Sequence, residues 1–528
     1  MGGTIVVESF LQQENKKLDQ LLTAWNHAVW MVNTTGEKEW QVKEAQAEAT
    51  YREYCADKDR FSMIQQLLKE VQPGSLEERQ LQRLVQEAVE NQLPKQLLGE
   101  MVQLSSKLSN IFNTFRGSVD GKKVTENEVR HTLIHSDDTI ERKKVWEASK
   151  QIGNEVQPDL LRLVRLRNQA AKSLGYEDHH QMMFQLQELD RDEVFRIFQE
   201  LKELTDEPFR KVKDTIDQEL STRFQIDIEE LRPWHYMDPF FQEAPSIEGA
   251  DLSPFIQQYS VEKCTAETFQ SLGMEIKDLL ARSDLYEREG KNQHAFCIDM
   301  DRQGDVRVLC NIHPNEYWME TMLHEFGHAV YDKYMDLNLP FILRTPSHIF
   351  TTEAIAMFFG RMVRNREWLH KFIGMSKESL DKMMPKLELM LQRQMLITAR
   401  WVMTFVFFEK ELYANPDQDL NRLWWKLVKE IQYVHPPETN DEPHWAAKIH
   451  FTIAPVYYQN YLLGELTASQ FDHYIRHHVS DEMFTKKTGQ FFMENVFFPG
   501  DRYNWQELIN QATGEPLNPK YFVEQFVY

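Results

Sequence analysis

Cysteine is scarce in this chain, which has four cysteines in 528 residues. So few thiols in so long a chain exclude the disulfide-dense scaffold by which small secreted domains are stabilised. The sequence also lacks an internal repeat and a low-complexity tract. The four cysteines are Cys55, Cys264, Cys297 and Cys310.

Two of these cysteines fall in a stretch that is typical of a β-hairpin. Residues 297–299 and 306–310 are predicted to form two short strands. If Gln303-Gly304 is a two-residue turn, Cys297 faces Cys310 across the hairpin. Because the sequence shows no export signal, we expect these two thiols to be reduced.

Long hydrophobic runs are absent, since no stretch approaches 18 uninterrupted apolar residues. No membrane span is therefore expected. The segment 1–8 lacks both a basic region and a long apolar stretch, so it does not match a signal peptide. Position 6 is not Ser or Thr, which weakens a prediction of myristoylation. These features favour a cytoplasmic protein without a membrane partner.

Positive charge is outnumbered, because 60 Lys and Arg stand against 82 Asp and Glu, a net charge of −22. Such a balance argues against nucleic acid or an anionic membrane as a partner. The length would allow two to four average domains. No domain boundary is clear, however, so we expect a single domain over residues 1–528 that is built as two lobes.

Residues 1–116 are charged and rich in Glu, Gln and Leu. This composition predicts several long amphipathic helices, which form either a solvated bundle or a lid over a cleft. Helical periodicity continues over 125–225, with Thr125 as a candidate helix cap. The main irregular stretch is 232–255, and 290–312 holds the best strand candidates. Helices are expected again over 313–432 and from 453, separated by a loop at 435–443.

The most informative segment is His324-Glu325-Phe326-Gly327-His328. Two histidines four positions apart share one face of a helix, so both imidazoles can reach one metal ion. Glu325 stands where it can take a proton from a metal-activated water, as in the HExxH pattern of zinc hydrolases. The alternative is a buried amphipathic helix with two satisfied histidines, which would leave Glu325 buried at a high cost.

A catalytic zinc ion needs a third protein ligand and one open position. Glu353 is the acid of an apolar helical run at 350–359, and it lies 25 positions after His328. This distance allows a second helix to pack against the first. The sequence therefore predicts His324, His328 and Glu353 as zinc ligands, although Glu353 could also be only a favourable acid near a helix N-terminus.

Taken together, these residues resemble the angiotensin-converting-enzyme family of zinc peptidyl dipeptidases. The HExxH helix with a Glu 25 positions later is also similar to the related thimet oligopeptidase and oligoendopeptidase group. Several further segments favour the converting-enzyme type: Gln293-His294-Ala295-Phe296, Trp424-Trp425-Lys426-Leu427, Pro436-Pro437, Lys448-Ile449-His450, Ala24-Trp25-Asn26 and Arg167-Asn168-Gln169-Ala170-Ala171. The likeness is strongest from about 290 to 465.

The resemblance implies a mainly α, two-lobed fold with a deep central cleft and a very small β-sheet near the active site. The N-terminal helices of residues 1–116 would roof that cleft. One zinc ion would be bound by His324, His328 and Glu353, with Glu325 as the general base. The expected substrates are short peptides from which C-terminal dipeptides are released.

The resemblance also implies roles for residues outside the metal site. His450 and Tyr461 would stabilise the oxyanion, and Lys448 and Tyr458 would hold the C-terminal carboxylate of the substrate. His294 and Ala295 would bind the substrate beside the zinc helix. Each assignment has a plainer alternative: a surface lysine, core tyrosines, and a strand histidine without a special role.

Two departures from the family pattern change the expectations for the tyrosines and for chloride. The stretch from His450 to Tyr461 is one residue longer than in the family, so Tyr457 competes with Tyr458. Gln459-Asn460 stands where the family has an Arg that helps to hold chloride, so chloride activation is doubtful.

Two further departures from the family pattern concern the second shell of the metal site and the family's usual disulfide. Met357 replaces an Asp that orients a zinc histidine, so another acceptor, such as a backbone carbonyl, must serve. Gln293 replaces a cysteine of the family's usual disulfide. Two other reactions stay open at this point, namely internal cleavage by an oligoendopeptidase and removal of single residues by a carboxypeptidase. The oligomeric state is left open.

Overall fold

Helices make up most of the computed structural model, which describes residues 2–527. The α-helices are α1 Gly2–Thr35, α2 Lys38–Ala56, α3 Lys58–Glu70, α4 Leu76–Val89, α5 Lys95–Thr114, α6 Glu126–His135, α7 Thr139–Ser173, α8 His179–Leu186, α9 Arg191–Phe224, α10 Ser253–Ile256, α11 Val261–Ser271, α12 Lys277–Arg282, α13 Glu316–Lys333, α14 Ile349–Arg361, α15 Arg366–Ile373, α16 Lys377–Ala414, α17 Leu420–Leu427, α18 His450–Ile453, α19 Gln459–His478, α20 Lys486–Phe492, α21 Trp505–Thr513 and α22 Lys520–Phe526. Short 3₁₀ turns cover Glu90–Gln92, Ile228–Glu230, Pro233–His235, Phe341–Leu343, Met362–Arg364 and His444–Ala447, and π turns cover Val428–Gln432 and Met493–Phe497.

Two small antiparallel hairpins are the β-structure of the described residues. Strands β1 Ser118–Val119 and β2 Lys122–Lys123 form the first, and β3 Phe296–Asp299 and β4 Val306–Leu309 form the second. The expectation of a mainly α fold with a very small β-sheet is therefore confirmed. The second hairpin lies where the sequence predicts strands, whereas the first was not anticipated.

Helix starts follow the capping chemistry of the sequence. The Thr125 hydroxyl accepts a hydrogen bond from the Glu128 backbone N–H, and the Glu128 carboxylate accepts one from the Thr125 N–H. This capping box confirms Thr125 as the cap of α6. The Asn315 side chain caps α13 by accepting from the Trp318 N–H, and the His348 Nδ1 caps α14 by accepting from the Phe350 N–H.

The chain divides into two compact units. The first unit contains the residues up to Gln92, then Gly249–Pro385 and Leu463–Tyr521. The second contains Leu93–Glu248, Lys386–Leu462 and the residues from Phe522 on. The predicted N-terminal lid region therefore contributes α1–α4 to the first unit and α5 to the second, and its role as a lid stays a prediction.

Each unit has its own apolar core. In the first unit, side chains of α1, α3 and α4 such as Leu18, Ile64 and Leu81 pack against the turn Phe341–Leu343. In the second unit, an aromatic cluster includes Phe405 and Phe451, whose rings stack 4.0 Å apart. No helix of residues 2–527 is both long enough and apolar enough to cross a membrane.

The register of the second hairpin differs from the prediction. Cys297 pairs with Val308, and Cys310 lies beyond the end of β4, so the expected pairing of Cys297 with Cys310 is wrong. The connection is longer than a two-residue turn. Within it, the Asp299 carboxylate accepts a hydrogen bond from the Arg302 N–H. All four cysteines of the chain are free thiols.

Side chains of residues 301–305 and of α1 complete this longer connection. The Asp301 carboxylate accepts hydrogen bonds from the Gln303 and Asp305 N–H groups at 2.8 and 3.2 Å. The Asn26 side chain of α1 donates to the carbonyl oxygens of Asp299 and Met300, each at 3.2 Å. These bonds hold the end of β3 in the observed register.

Candidate active site

Helix α13 contains the HExxH segment, of which Glu325 is buried and His324 and His328 are half-buried. Apolar side chains of α13, including Met322, Phe326 and Val330, are buried, which fixes the rotation of the helix in its unit. With α13 turned in this way, His324 and His328 lie on one face with ring centroids 5.2 Å apart.

Helix α14 brings Glu353 to the two histidines. One carboxylate oxygen of Glu353 lies 3.1 Å from the His324 Nε2, and the other lies 3.3 Å from the His328 Nε2. One ligand atom from each of the three residues lies within 4.8 Å of the other two. The structure therefore brings together the three side chains that the sequence predicts as metal ligands.

Glycine allows α13 and α14 to approach closely. A Cβ atom at Gly327 would lie 3.0 Å from the Ala356 Cα and 3.2 Å from the Ile355 carbonyl oxygen. On the other helix, a Cβ at Gly360 would lie 3.5 Å from the His324 Cβ. Gly327 therefore allows the short helix spacing that places Glu353 beside both imidazoles, whereas a Cβ at Gly360 would make only an ordinary contact.

The charges at this site suit a cation. Desolvation alone would raise the pKa of Glu353, but hydrogen bonds from His324 and His328 outweigh it and hold the pKa well below its ordinary value. For His324, desolvation lowers the pKa, and the hydrogen bond to Glu353 reverses this, so the net shift is upward. The carboxylate is thus ionised and oriented toward both rings.

The buried side chain of Glu325 has a different environment. Desolvation raises its pKa, and the nearby His324 and His328 only partly offset this effect. A carboxylate placed beside two candidate metal ligands can accept a proton and return it, which is what a general base that later acts as an acid must do.

A hydroxyl group orients one of the predicted ligands. The Thr352 Oγ1 lies 2.8 Å from the His328 Nδ1. Because the His328 Nε2 faces Glu353, a metal bound there requires the proton to be on Nδ1, which then donates to Thr352. The second-shell acceptor is therefore a side-chain hydroxyl rather than the backbone carbonyl that was considered from the sequence.

The donor set fits zinc. Two imidazole nitrogens and one carboxylate are the ligands of many catalytic zinc sites, which keep a further position for water or substrate. The three donors converge from two helices that pack through glycine, and one donor already has a second-shell partner. We conclude that His324, His328 and Glu353 can hold a zinc ion.

The predicted substrate residues His294 and Ala295 directly precede β3 in the first unit. His294 is exposed and Ala295 is half-buried. The His294 N–H donates to the Asn292 side chain, and the His294 carbonyl oxygen accepts from the Asn311 side chain at 3.4 Å. Both residues lie at the end of the strand rather than within it.

Lys448 is half-buried in the second unit and lines a cavity of about 580 Å³. Its Nζ donates a hydrogen bond to the Gln242 Oε1 at 3.0 Å and lies 5.4 Å from the ring centroids of Phe240 and Trp401. Desolvation lowers the pKa of Lys448 to about 8, although Asp238 and other acids act in the opposite direction. Lys448 is therefore not a solvated surface lysine.

His450 is a neutral imidazole at pH 7. Desolvation, together with the charge of Lys448, lowers its pKa to about 4. Its buried Nδ1 makes no hydrogen bond within the described residues. A neutral imidazole with an unsatisfied nitrogen can hydrogen-bond a bound ligand.

The three candidate tyrosines differ in environment. Tyr458 is buried, stacks on Phe405 at 4.0 Å, and accepts a hydrogen bond from the Trp401 indole N–H at 2.6 Å. Tyr461 is 37% exposed, and its ring lies 5.0 Å from that of Tyr458 and 5.5 Å from that of Tyr457. The Tyr458 hydroxyl is thus held by Trp401 inside the unit, whereas Tyr461 reaches solvent.

A family model described as angiotensin-converting enzyme (peptidase M2) matches residues 4–520, nearly the whole chain. The chain belongs to the angiotensin-converting enzyme family. It is therefore a metallopeptidase of a zinc-dependent family, and the predicted resemblance is confirmed. A search of the curated proteins finds no match.

Two departures from the angiotensin-converting enzyme pattern have structural counterparts. Met357, which replaces the family's Asp, lies against Gly464 of α19, where a Cβ would meet its terminal methyl group. At the position of the family's chloride-binding Arg, Gln459 and Asn460 donate hydrogen bonds to the Gln187 side chain at 3.3 and 3.0 Å. The two amide side chains are neutral, so they place no positive charge at this position.

Sequence reasoning missed two residues of this site. Thr352 directly precedes Glu353, but its contact with His328 depends on how α14 is rotated against α13. Gln242, the partner of Lys448, lies in the irregular stretch 232–255, where no periodicity indicates which side chains point inward. A search for polar neighbours of Glu353 could have suggested Thr352, whereas no sequence signal indicates Gln242.

Proposed function

We propose that this metallopeptidase is a peptidyl dipeptidase, which releases dipeptides from the free C-terminus of short peptides. The observation that carries this proposal is the environment of Lys448. This half-buried cation lines a cavity and donates a hydrogen bond to Gln242. A fixed cation can pair with a substrate carboxylate. Its distance along the peptide from the cleaved bond then determines how many residues are released.

Glu325 is proposed as the general base. His324, His328 and Glu353 would hold the zinc ion, which would supply Lewis acidity to a water molecule and to the scissile carbonyl. The Glu325 carboxylate takes the proton from the attacking water and later returns it to the leaving amine. The place of Glu325 on α13, buried next to His324, supports this role.

His450 and Tyr461 are proposed to donate hydrogen bonds to the oxyanion. The neutral state of His450 and its unsatisfied Nδ1 support a donor role, because an imidazole N–H is available without a net charge. The ring of Tyr461 is partly exposed. Tyr458 lies beside His450 and is proposed to bind the C-terminal carboxylate of the substrate. His294 and Ala295 are proposed to bind the substrate backbone.

The test compares one peptide with a free and with an amidated C-terminus, and the products are identified by mass spectrometry. We expect dipeptide release from the free acid and little cleavage of the amide. Equal internal cleavage of both forms would instead establish an oligoendopeptidase. Release of single residues would establish a carboxypeptidase.

Lys448→Met should weaken cleavage of the free-acid peptide, as amidation of the substrate does. Removing the cation is expected to lower kcat/KM for the free acid by about tenfold or more, because a charge-assisted hydrogen bond is lost. The amidated peptide should be unaffected. Arg165→Met is the matched control, since Arg165 pairs with Asp417 on the exposed surface of the same unit.

A further inference from the structure

The chain between His450 and Tyr461 passes through a residue with a strained backbone. Val456 has a φ of +53°, and its side chain is buried. This left-handed conformation is uncommon for residues other than glycine, and for a β-branched residue it is a genuine outlier. It persists only where the surrounding structure holds it. The contacts of Val456 therefore determine the path of the chain between these two residues.

Three polar side chains hold the backbone of Val456. Its N–H donates a hydrogen bond to the Glu409 Oε2 at 3.1 Å. Its carbonyl oxygen accepts from the Gln187 Nε2 at 2.7 Å and from the Gln459 Nε2 at 2.9 Å. All four residues belong to the second unit. Because the N–H is buried, loss of the Glu409 acceptor would leave it without this hydrogen bond at a cost in free energy.

Glu409 is a buried acid of α16 that the proposed chemistry does not use. Burial raises the pKa of Glu409 to about 8, although the Val456 N–H and the charge of Arg167 act in the opposite direction. The carboxyl group is therefore mostly protonated and neutral at pH 7. A neutral carboxyl group that accepts from a backbone N–H is matched in shape and charge by the side-chain amide of glutamine.

The strained residue lies just before two tyrosines of the proposed site. Helix α19 begins at Gln459, so Tyr461 belongs to its first turn. The Tyr461 N–H donates to the Tyr458 carbonyl oxygen at 3.2 Å, and the two rings lie 5.0 Å apart. The Tyr458 ring in turn lies 5.2 Å from that of His450. A change of backbone direction at Val456 would therefore displace Tyr458 and the first turn of α19 together.

We propose that Glu409 is a positioning residue, which holds Val456 in its left-handed conformation and thereby places the Tyr461 hydroxyl for oxyanion stabilisation. This inference rests on the proposed function of Tyr461. Loss of Glu409 lowers the fraction of the enzyme in which Tyr461 is correctly placed. Because an oxyanion donor acts in the transition state, kcat falls, whereas KM changes little.

The test measures kcat and KM for one short peptide with a free C-terminus, with kcat referred to the concentration of folded, zinc-loaded protein. Glu409→Leu is expected to lower kcat about tenfold, because a buried N–H loses its acceptor, and to change KM by less than about twofold. Glu409→Gln keeps an acceptor for the Val456 N–H, so its kcat should stay within about twofold of the wild type.

Two backgrounds separate positioning from a general structural effect. Glycine adopts a positive φ without strain, so Val456→Gly removes the need for the acceptor at Glu409. In that background, Glu409→Leu should lower kcat by no more than about twofold. In a Tyr461→Phe background the hydroxyl is already missing, so Glu409→Leu should again have little further effect on kcat.

Two further variants complete the set. Gln187→Leu removes a hydrogen bond to the Val456 carbonyl oxygen at a half-buried position, and it should also lower kcat and be rescued by Val456→Gly. Glu219→Leu is the matched control, because Glu219 pairs with Arg393 of the same helix. Arg393 lies about 24 Å along α16 from Glu409, so this variant should keep the wild-type kcat.

Two results would overturn the inference: a wild-type kcat in Glu409→Leu, or the same loss of kcat with and without Val456→Gly. If Glu409→Leu does not fold, a wild-type kcat in Gln187→Leu overturns it instead. None of these results changes the role of Tyr461. A wild-type kcat in Tyr461→Phe, by contrast, refutes the proposed oxyanion donor itself, so the two failures are distinguishable.

Discussion

At the scale of single residues, the metal site depends on the protonation and orientation of a few side chains. Glu353 is held ionised by two imidazoles, and the His328 ring is held by a hydroxyl rather than by the family's carboxylate. A hydroxyl group carries no charge, so it orients the ring without adding negative charge to the site.

Thr352→Val should weaken zinc binding about 10–100-fold, because the His328 Nδ1 loses its acceptor. Zinc affinity can be measured by competition with a chromophoric chelator. Thr352→Ser keeps the hydroxyl and should bind zinc like the wild type. Equal affinities of the Val and Ser variants would show that the hydroxyl does not orient the ring.

Lys448 should give the enzyme a pH dependence above pH 8. Its pKa is lowered to about 8, so it is protonated below that pH and loses its charge as the pH rises through it. The KM for peptides with a free C-terminus should therefore increase, by up to about tenfold per pH unit above 8. The measurement is KM between pH 7 and 10.

Lys448→Arg is the control for this pH effect, because a guanidinium stays charged over the whole range. Its KM should be flat above pH 8. The same increase of KM in Lys448→Arg would assign the titration to another group.

At the scale of secondary structure, the site is made by the contact of α13 and α14. The spacing of the two histidines in α13 follows from helix geometry. The distance from these histidines to Glu353 depends on the close approach of α13 and α14 at Gly327. The hairpin next to α13 contributes a half-buried thiol, and the Cys297 Sγ lies 4.0 Å from the Asp332 carboxylate.

Gly327→Ala should destabilise the chain by about 1–3 kcal/mol and lower zinc affinity, because the new methyl group meets the backbone of α14 at 3.0 Å. Chemical denaturation and zinc titration measure the two effects. Gly99→Ala is the matched control in α5, where nothing lies within 4 Å, and it should stabilise by about 0.5–1 kcal/mol. Unchanged zinc affinity in Gly327→Ala would contradict the role given to helix spacing.

A carboxylate pair between the hairpin and α13 should make stability depend on pH. Desolvation raises the pKa of Asp299 from 3.8 to about 7, and desolvation together with Asp299 raises that of Asp332. The folded chain therefore holds protons that the unfolded chain has released between about pH 4 and pH 7. Stability falls as the pH rises through this window, by up to about 1.4 kcal/mol per pH unit for Asp299.

Asp299→Asn should remove the contribution of Asp299 to this slope and leave that of Asp332, while its side-chain oxygen still accepts from the Arg302 N–H. Free energies of unfolding at pH 5 and pH 8 for the two proteins provide the comparison. An identical pH slope in the variant would exclude Asp299 as the source.

The elements show what the sequence could and could not predict. The positions of α13, α14 and the second hairpin follow from periodicity and proline placement, and the two histidines follow from their i, i+4 spacing. The register of the hairpin does not follow, because Asp299 and Asp301 form side-chain turns that lengthen the connection. Contacts such as Thr352 with His328 depend on helix rotation, which no local pattern specifies.

At the scale of the whole molecule, the predicted residues are distributed over two units. The zinc ligands, Glu325, His294 and Ala295 belong to the first unit, whereas Lys448, His450, Tyr458 and Tyr461 belong to the second. The family model covers residues 4–520 and therefore residues of both units. Metal chemistry and carboxylate recognition should therefore respond separately to substitution.

Chelation should remove both activity and part of the thermal stability, since zinc binds the folded state in preference to the unfolded one. At free zinc 100-fold above Kd the expected stabilisation is about 2.7 kcal/mol. Lys448→Met should keep this stabilisation, whereas His324→Ala should lose it. Thermal unfolding with and without zinc tests the separation, and a zinc effect that persists in His324→Ala would contradict the ligand assignment.

The most direct measurement of the central claim is the turnover of zinc-loaded Glu325→Gln, with its metal content determined in the same sample. The account predicts about one zinc ion per chain, as in the wild type, and a rate lower by about 10²–10⁴-fold, because the general base is gone while the three ligands remain. A zinc-loaded Glu325→Gln that cleaves peptides at nearly the wild-type rate would contradict it.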